Sequence, residues 1–113
     1  MRYLSFFKSE ESGPPSQAEQ EAMGKLIAEM TQAGVLLSAE GCLPSSKGFR
    51  VRRSGKRITV TDGPFTESKE VIGGFALLEV GSRDEAIQWT RRFLDVVGDG
   101  ESEVRLLYDQ PAC

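Results

Sequence analysis

Histidine is absent from this 113-residue sequence, and cysteine occurs only at Cys42 and Cys113. The lack of histidine excludes His-based catalytic triads, imidazole proton shuttles and histidine metal sites. Two cysteines cannot complete a four-ligand zinc site within one chain, and in a reducing compartment both should be free thiols. We therefore expect neither a bound metal nor a cofactor.

Long apolar runs and an excess of basic residues are also missing. No apolar stretch approaches the roughly 20 residues that a membrane-spanning helix needs, and the N-terminus lacks the basic-then-apolar pattern of a signal peptide. The formal net charge is −3, whereas nucleic-acid-binding domains are usually basic. These features predict a cytoplasmic protein that binds neither membranes nor nucleic acid. The length suits one domain, residues 1–113, with a modest hydrophobic core.

What is present is an alternation of strand-like and helix-like segments. Capping boxes at Ser16 and Ser82 predict two helix starts, and Gly34 and Gly98 predict where these helices stop. Polar loops are predicted over residues 8–15 and 40–47, and a turn over 53–55. Strands are predicted over residues 3–7, 35–39, 48–52, 56–60, 74–80 and 103–108.

This order of elements predicts an α+β fold, ferredoxin-like and of the βαββαβ type, with an inserted β-hairpin. In such a fold both helices lie on one face of the sheet. The first strand and the strand over 74–80 nevertheless carry apolar residues on both faces. Because the uncovered face has to be hidden, we predict a two-fold homodimer with sheet packed against sheet.

Residues 61–75 join two of the predicted strands and read TDGPFTESKEVIGGF. Asp62 can accept hydrogen bonds from the amides that follow it, Gly63 can adopt dihedrals that other residues avoid, and Pro64 fixes its own φ. Phe65 would pin the resulting stiff turn by burying its ring. The charges that follow are either a solvated strand entry or part of a site, and the residues alone leave both interpretations open.

The segment 62–70, followed by IGGF at 72–75, closely resembles the signature of the YCII-related proteins of the DGPF type. Further segments occur in the order of that family: residues 2–4, 33–36, 40–44, 84–87 and 103–105. The resemblance implies a dimeric α/β barrel. It also implies a role in regulation by extracytoplasmic-function sigma factors. In many bacteria the genes for proteins of the DGPF type lie next to the genes for these sigma factors. The better-studied branch of the family carries a candidate His-Asp pair, which a chain without histidine cannot supply.

We expect a candidate site at this turn. The predicted catalytic residues are Asp62 as acid or base with Lys69 and Glu70, and the predicted substrate-binding residues are Arg50, Arg52, Phe65 and Glu67. The basic cluster over residues 47–57 is either a solvated hairpin face or an anion-binding rim.

Three functions fit the sequence. One is proton-transfer chemistry on a small anionic or aromatic compound, and the second is a ligand-sensing or protein-binding module linked to a sigma factor. The third is a dimer without a ligand, in which the signature only builds a turn. Whether the protein is an enzyme is left open by the sequence.

Overall fold

Two helices and two antiparallel sheets make up the computed structural model, which describes residues 1–108. The elements in chain order are β1 (Arg2–Ser9), α1 (Gln17–Gln32), β2 (Leu36–Gly41), β3 (Phe49–Ser54), β4 (Arg57–Asp62), β5 (Val71–Glu79), α2 (Arg83–Val97) and β6 (Glu101–Leu106). A short 3-10 turn, Ser45–Lys47, lies between β2 and β3. The prediction of an α+β fold is confirmed, and the arrangement is compatible with a ferredoxin-like fold.

Both helices begin where the capping boxes predict. The Ser16 side chain accepts a 3.1 Å hydrogen bond from the Glu19 amide, and the Ser82 side chain accepts one of 3.1 Å from the Glu85 amide. Each bond satisfies an amide that has no partner within the helix. Helix α2 ends at Gly98, whose φ of 87° lies in the left-handed region that favours glycine.

The main sheet has the strand order β2-β5-β1-β6, and each neighbouring pair is antiparallel. Side chains alternate across it, so Tyr3 and Leu78 point to the face that the helices cover. The buried core joins these two residues to both helices and to the ends of the adjoining strands: Leu26, Met30, Val35, Val80 and Ala86. At the other end of β1, the rings of Phe7 and Phe93 meet edge to face with their centroids 5.3 Å apart.

The opposite face of this sheet, called here the open face, is also apolar at its centre. Leu4 pairs with Leu77 across the β1–β5 ladder, and Phe6 pairs with Phe75. Alternation turns these side chains away from the helices, and Phe75 is exposed. The helices therefore cover one apolar face of the sheet and leave the other uncovered.

Strands β3 and β4 form a separate two-stranded sheet, called here the hairpin. The sequence predicts a turn at residues 53–55, but the chain turns at residues 55–56. The difference arises because Gly55, with φ of 62°, is suited to a two-residue turn, which extends β3 to Ser54. As predicted, Arg50 and Arg52 alternate with Phe49 and Val51 on opposite faces.

Several strand boundaries differ from the sequence-based ones. Strand β1 runs on through Lys8 and Ser9, residues predicted to be loop, because they pair with the start of β5. Strand β2 likewise continues to Gly41, which pairs with Gly74. The last strand is shifted two residues towards the N-terminus of its predicted range. Pairing with a neighbouring strand determines where each of these strands ends. The polarity of the nearby residues does not indicate that pairing.

Candidate functional site

Residues 62–70, called here the signature turn, connect β4 to β5 and rest on the backbone of residues 45–48. The Gly63 amide donates to the Gly48 carbonyl at 2.9 Å, and the Phe65 amide donates to the Ser45 hydroxyl at 3.1 Å. A Cβ atom on Gly63 would lie 1.8 Å from the Ser45 carbonyl oxygen, which is far inside contact distance. The close approach requires glycine at this position, so the geometry of the turn is tightly determined.

The supporting loop is tied in turn to the N-terminal region. The Ser45 amide donates a short hydrogen bond to the Glu11 carboxylate. This bond to the Ser45 backbone lowers the pKa of Glu11 below its ordinary value. Two segments that are distant from each other in sequence, residues 45–48 and the region of Glu11, therefore fix the position of the turn.

Arg50 connects the hairpin to the signature turn. Its guanidinium carbon lies 3.8 Å from the centroid of the Phe65 ring, a cation–π contact. The same guanidinium pairs with the Glu67 carboxylate and donates to the Ser68 hydroxyl at 3.1 Å. The pKa of Glu67 is lowered, first by a hydrogen bond from its own backbone amide and then by the bond from Arg50. The arginine thus holds the turn against the base of the hairpin.

A cavity of about 580 Å³ opens beside the signature turn. Its size falls within the range of roughly 300–1,000 Å³ that is typical of small-molecule sites. Three cationic side chains, one carboxylate, one thiol and an apolar wall surround it. The lining residues are Lys8, Cys42, Leu43, Pro44, Ser45, Lys47, Gly48, Arg50, Phe65, Glu70, Val71 and Ile72.

The three cations differ in how far they are already neutralised. The Lys8 ammonium lies 3.1 Å from Glu103 and 3.7 Å from Glu101, and its hydrogen bond to Glu103 raises the pKa of Lys8. Arg50 pairs with Glu67 as described. Within residues 1–108, Lys47 makes no ion pair. Lys47 therefore contributes the uncompensated positive charge at the cavity.

Comparison with known proteins places the chain in a family. The model of the YCII-related domain matches residues 1–108. This chain belongs to the YCII-related family. An uncharacterized protein of Rhizobium meliloti (strain 1021) is 35% identical to it over 77 residues, which are 67% of this chain. The aligned part spans 62% of the length of that relative.

In this YCII-related chain, the residues predicted from sequence to form the site divide into two groups. Arg50, Phe65 and Glu70 line the cavity, and Glu67 reaches it indirectly through its pair with Arg50. The others do not belong to the lining. These are Asp62, which is the last residue of β4 and exposed, Arg52, which lies further along β3, and Lys69, which is exposed.

Sequence reasoning missed Lys8, Cys42 and Lys47 as lining residues. Lys47 belongs to the basic cluster predicted over residues 47–57, but its place in the cavity lining was not predicted. Lys8 lines the cavity because β1 continues past Phe7, so that Lys8 pairs with Ile72 at the start of β5. No local sequence signal reports that pairing. Cys113, the other predicted free thiol, lies outside the described residues.

Two further features of the YCII-related chain concern residues 1–108. In that range, no three His, Cys, Asp or Glu side chains lie close enough together to hold a metal ion. Neither helix in that range is both long and apolar enough to cross a membrane.

Proposed function

We propose that this YCII-related protein binds a small anionic compound with an apolar or aromatic body in the cavity beside the signature turn. The observation that carries the proposal is the convergence of Lys8, Lys47 and Arg50 with an apolar wall on one cavity of about 580 Å³. Cations favour an anionic group, and the wall favours a hydrophobic remainder.

The uneven neutralisation of the three cations suggests how the ligand would sit. The anionic group would approach Lys47 and the guanidinium donors of Arg50 that Glu67 and Ser68 leave available. The ligand body would lie against Phe65, Val71 and Ile72. A carboxylate on an aromatic or branched aliphatic skeleton fits both requirements.

Proton-transfer chemistry at this site stays a prediction. Among its predicted catalytic residues, Glu70 is the one that borders the cavity. Asp62 and Glu70 are both exposed in the single chain, so burial does not distinguish them as acid/base candidates. Its position in the cavity lining makes Glu70 the better acid/base candidate, with Asp62 and Lys69 as outer residues of the site.

A homodimer is part of the proposal, and the exposed area of the chain supports it. A compact monomer of 12.4 kDa exposes about 6,100 Å². This chain exposes 8692 Å², which leaves an excess of about 2,600 Å². Stable interfaces bury about 800 Å² per partner. We propose that a second copy covers the open face of the main sheet, which would complete a dimeric α/β barrel.

A regulatory role linked to a sigma factor, which the DGPF-type resemblance implies, would use the same cavity. A sensor has to bind its ligand before it can act on a partner, so ligand binding is the step that the enzymatic and regulatory functions share. Both functions, and a location in the cytoplasm, stay predictions.

A thermal-shift screen of small carboxylates, among them benzoate, phenylacetate and short branched aliphatic acids, tests the binding proposal. A compound present at about 100 times its dissociation constant should stabilise the folded state by roughly 2.7 kcal/mol, a shift of several degrees. We expect Lys47→Met to reduce that shift strongly. Lys56→Met is the matched control, because it removes the same charge at the turn of the hairpin, away from the cavity lining.

The corresponding amides, such as benzamide, control for the anionic group. Equal shifts for acid and amide, or equal losses in the two lysine variants, would contradict an anion site at the cavity. For any acid that binds, Glu70→Gln and Asp62→Asn then test turnover. Loss of turnover with binding intact in Glu70→Gln would support acid/base chemistry at the cavity.

A further inference from the structure

We infer that the hairpin is an arm whose apolar face packs against a second copy of this chain. The inference starts from four side chains on one face of the hairpin. Phe49, Val51, Ile58 and Val60 are exposed to between 59% and 66%. Val51 pairs with Val60 across the two strands, so the apolar face runs through the middle of the hairpin.

The contacts between the hairpin and its own chain are concentrated elsewhere. They include the hydrogen bond between Gly63 and Gly48 at the base, and the contacts of Arg50 with Phe65 and Glu67. Arg50 belongs to the opposite, basic face. The hairpin is therefore anchored through its base and its basic side, while its apolar side is presented outwards. A two-stranded hairpin is at best marginally stable alone in water, so an apolar cover would stabilise it.

Charge identifies a second copy as the occupant. Residues 47–62 carry six basic side chains and one acidic side chain, whereas the rest of the sequence carries eight basic and sixteen acidic ones. The hairpin segment is thus strongly positive, and the remainder of an identical chain is strongly negative. Long-range attraction between these oppositely charged regions favours the encounter of two copies, even though Arg50 and Arg52 lie on the hairpin face opposite the apolar one.

The extended shape of the chain also supports a contact with a second copy. Its radius of gyration is 16.0 Å, whereas a compact domain of this length has about 13 Å. The excess of about 2,600 Å² of accessible surface is more than the roughly 800 Å² that one partner buries in a standard interface. It leaves room for an arm contact in addition to the contact between open sheet faces. In a two-fold dimer each arm contact occurs twice, so one substitution removes two contacts from the interface.

The test compares two neighbouring residues of β4 in the full chain. Val60→Asp places a carboxylate on the apolar face, and Thr59→Asp places the same group on the opposite face, across from Arg52. Both positions are exposed in the single chain, so neither change should unfold it. Circular dichroism would verify the fold of both variants, and Val51→Asp provides a second substitution on the apolar face.

Sedimentation equilibrium measures the dimer dissociation constant. We expect Val60→Asp and Val51→Asp to raise it at least about 100-fold, since each dimer would bury two unpaired carboxylates and lose two apolar contacts. Thr59→Asp should change it less than about threefold.

A monomeric wild type, or a Val60→Asp dimer with the wild-type dissociation constant, would overturn the inference. A monomeric wild type would leave the apolar face to a partner other than a second copy. The arm contact rests on the homodimer proposed above, and a monomeric wild type would overturn both. A wild-type dimer whose dissociation constant is unchanged in Val60→Asp would overturn the arm contact alone, and the carboxylate screen reads ligand binding separately.

Discussion

The substitution Gly63→Ala tests whether the signature turn depends on the close approach of two backbone segments. An added Cβ would lie 1.8 Å from the carbonyl oxygen of Ser45, 2.7 Å from its carbonyl carbon and 3.3 Å from the carbonyl oxygen of Gly48. All three obstacles are backbone atoms, so a side-chain rotation cannot relieve the contact. The turn has to move away from residues 45–48.

The expected cost follows from what that movement breaks. Forcing an extra carbon into a closely packed site costs about 1–3 kcal/mol. The bonds from the Gly63 amide to Gly48 and from the Phe65 amide to Ser45 are weakened at the same time, and each contributes about 1 kcal/mol. We expect a total loss of about 2–4 kcal/mol. For a domain of this size that corresponds to a fall in Tm of roughly 6–20 °C.

Differential scanning calorimetry at fixed protein concentration measures the effect, with Gly41→Ala as the matched control. A Cβ on Gly41 would meet nothing within 4 Å, and its backbone lies outside the positive-φ region. The control should therefore stay within about 0.5 kcal/mol of the wild type or gain slightly, because alanine restricts the unfolded chain. A Gly63→Ala protein that melts within 2 °C of the control would refute the argument from close approach.

Two further predictions concern separate parts of the chain. Arg50→Met should raise the pKa of Glu67 towards its ordinary value of 4.5 but leave it lower than that, since the hydrogen bond from the Glu67 amide is the larger cause. The lowered pKa stabilises the fold above about pH 4.5 and ceases to do so as the pH falls through the folded-state value, so the wild type should lose more stability on acidification than Arg50→Met. NMR titration of the Glu67 side-chain carbons checks the pKa, and an identical value in both proteins would contradict the assigned cause. Gly24→Ala should stabilise the protein by about 0.5–1 kcal/mol in denaturant unfolding, because Gly24 is an exposed residue inside α1 with no atom near its missing Cβ; a loss of stability would contradict this.

The elements that sequence predicted best are those specified by neighbouring residues. Ser16 and Ser82 mark helix starts because a capping side chain bonds to an amide only three residues away. Alternation likewise predicts that Arg50 and Phe49 lie on opposite faces of the hairpin, since the strand period is a local property. The ends of β1, β2 and β6 were predicted less well, because a partner strand elsewhere in the chain decides where pairing stops.

The candidate site shows the same division. The sequence by itself determined the family, the α+β pattern and the position of the signature turn, because these depend on motifs read along a continuous segment. The requirement for glycine at position 63 comes instead from the approach of the turn to the backbone of residues 45–48. Only the tertiary structure decided that Lys8 and Lys47 reach the cavity, that Arg50 stacks on Phe65 and pairs with Glu67, and that Asp62 remains exposed. The physical reason is that a cavity is built from contacts between distant segments, and the register of β1 on β5 fixes which side chains meet there.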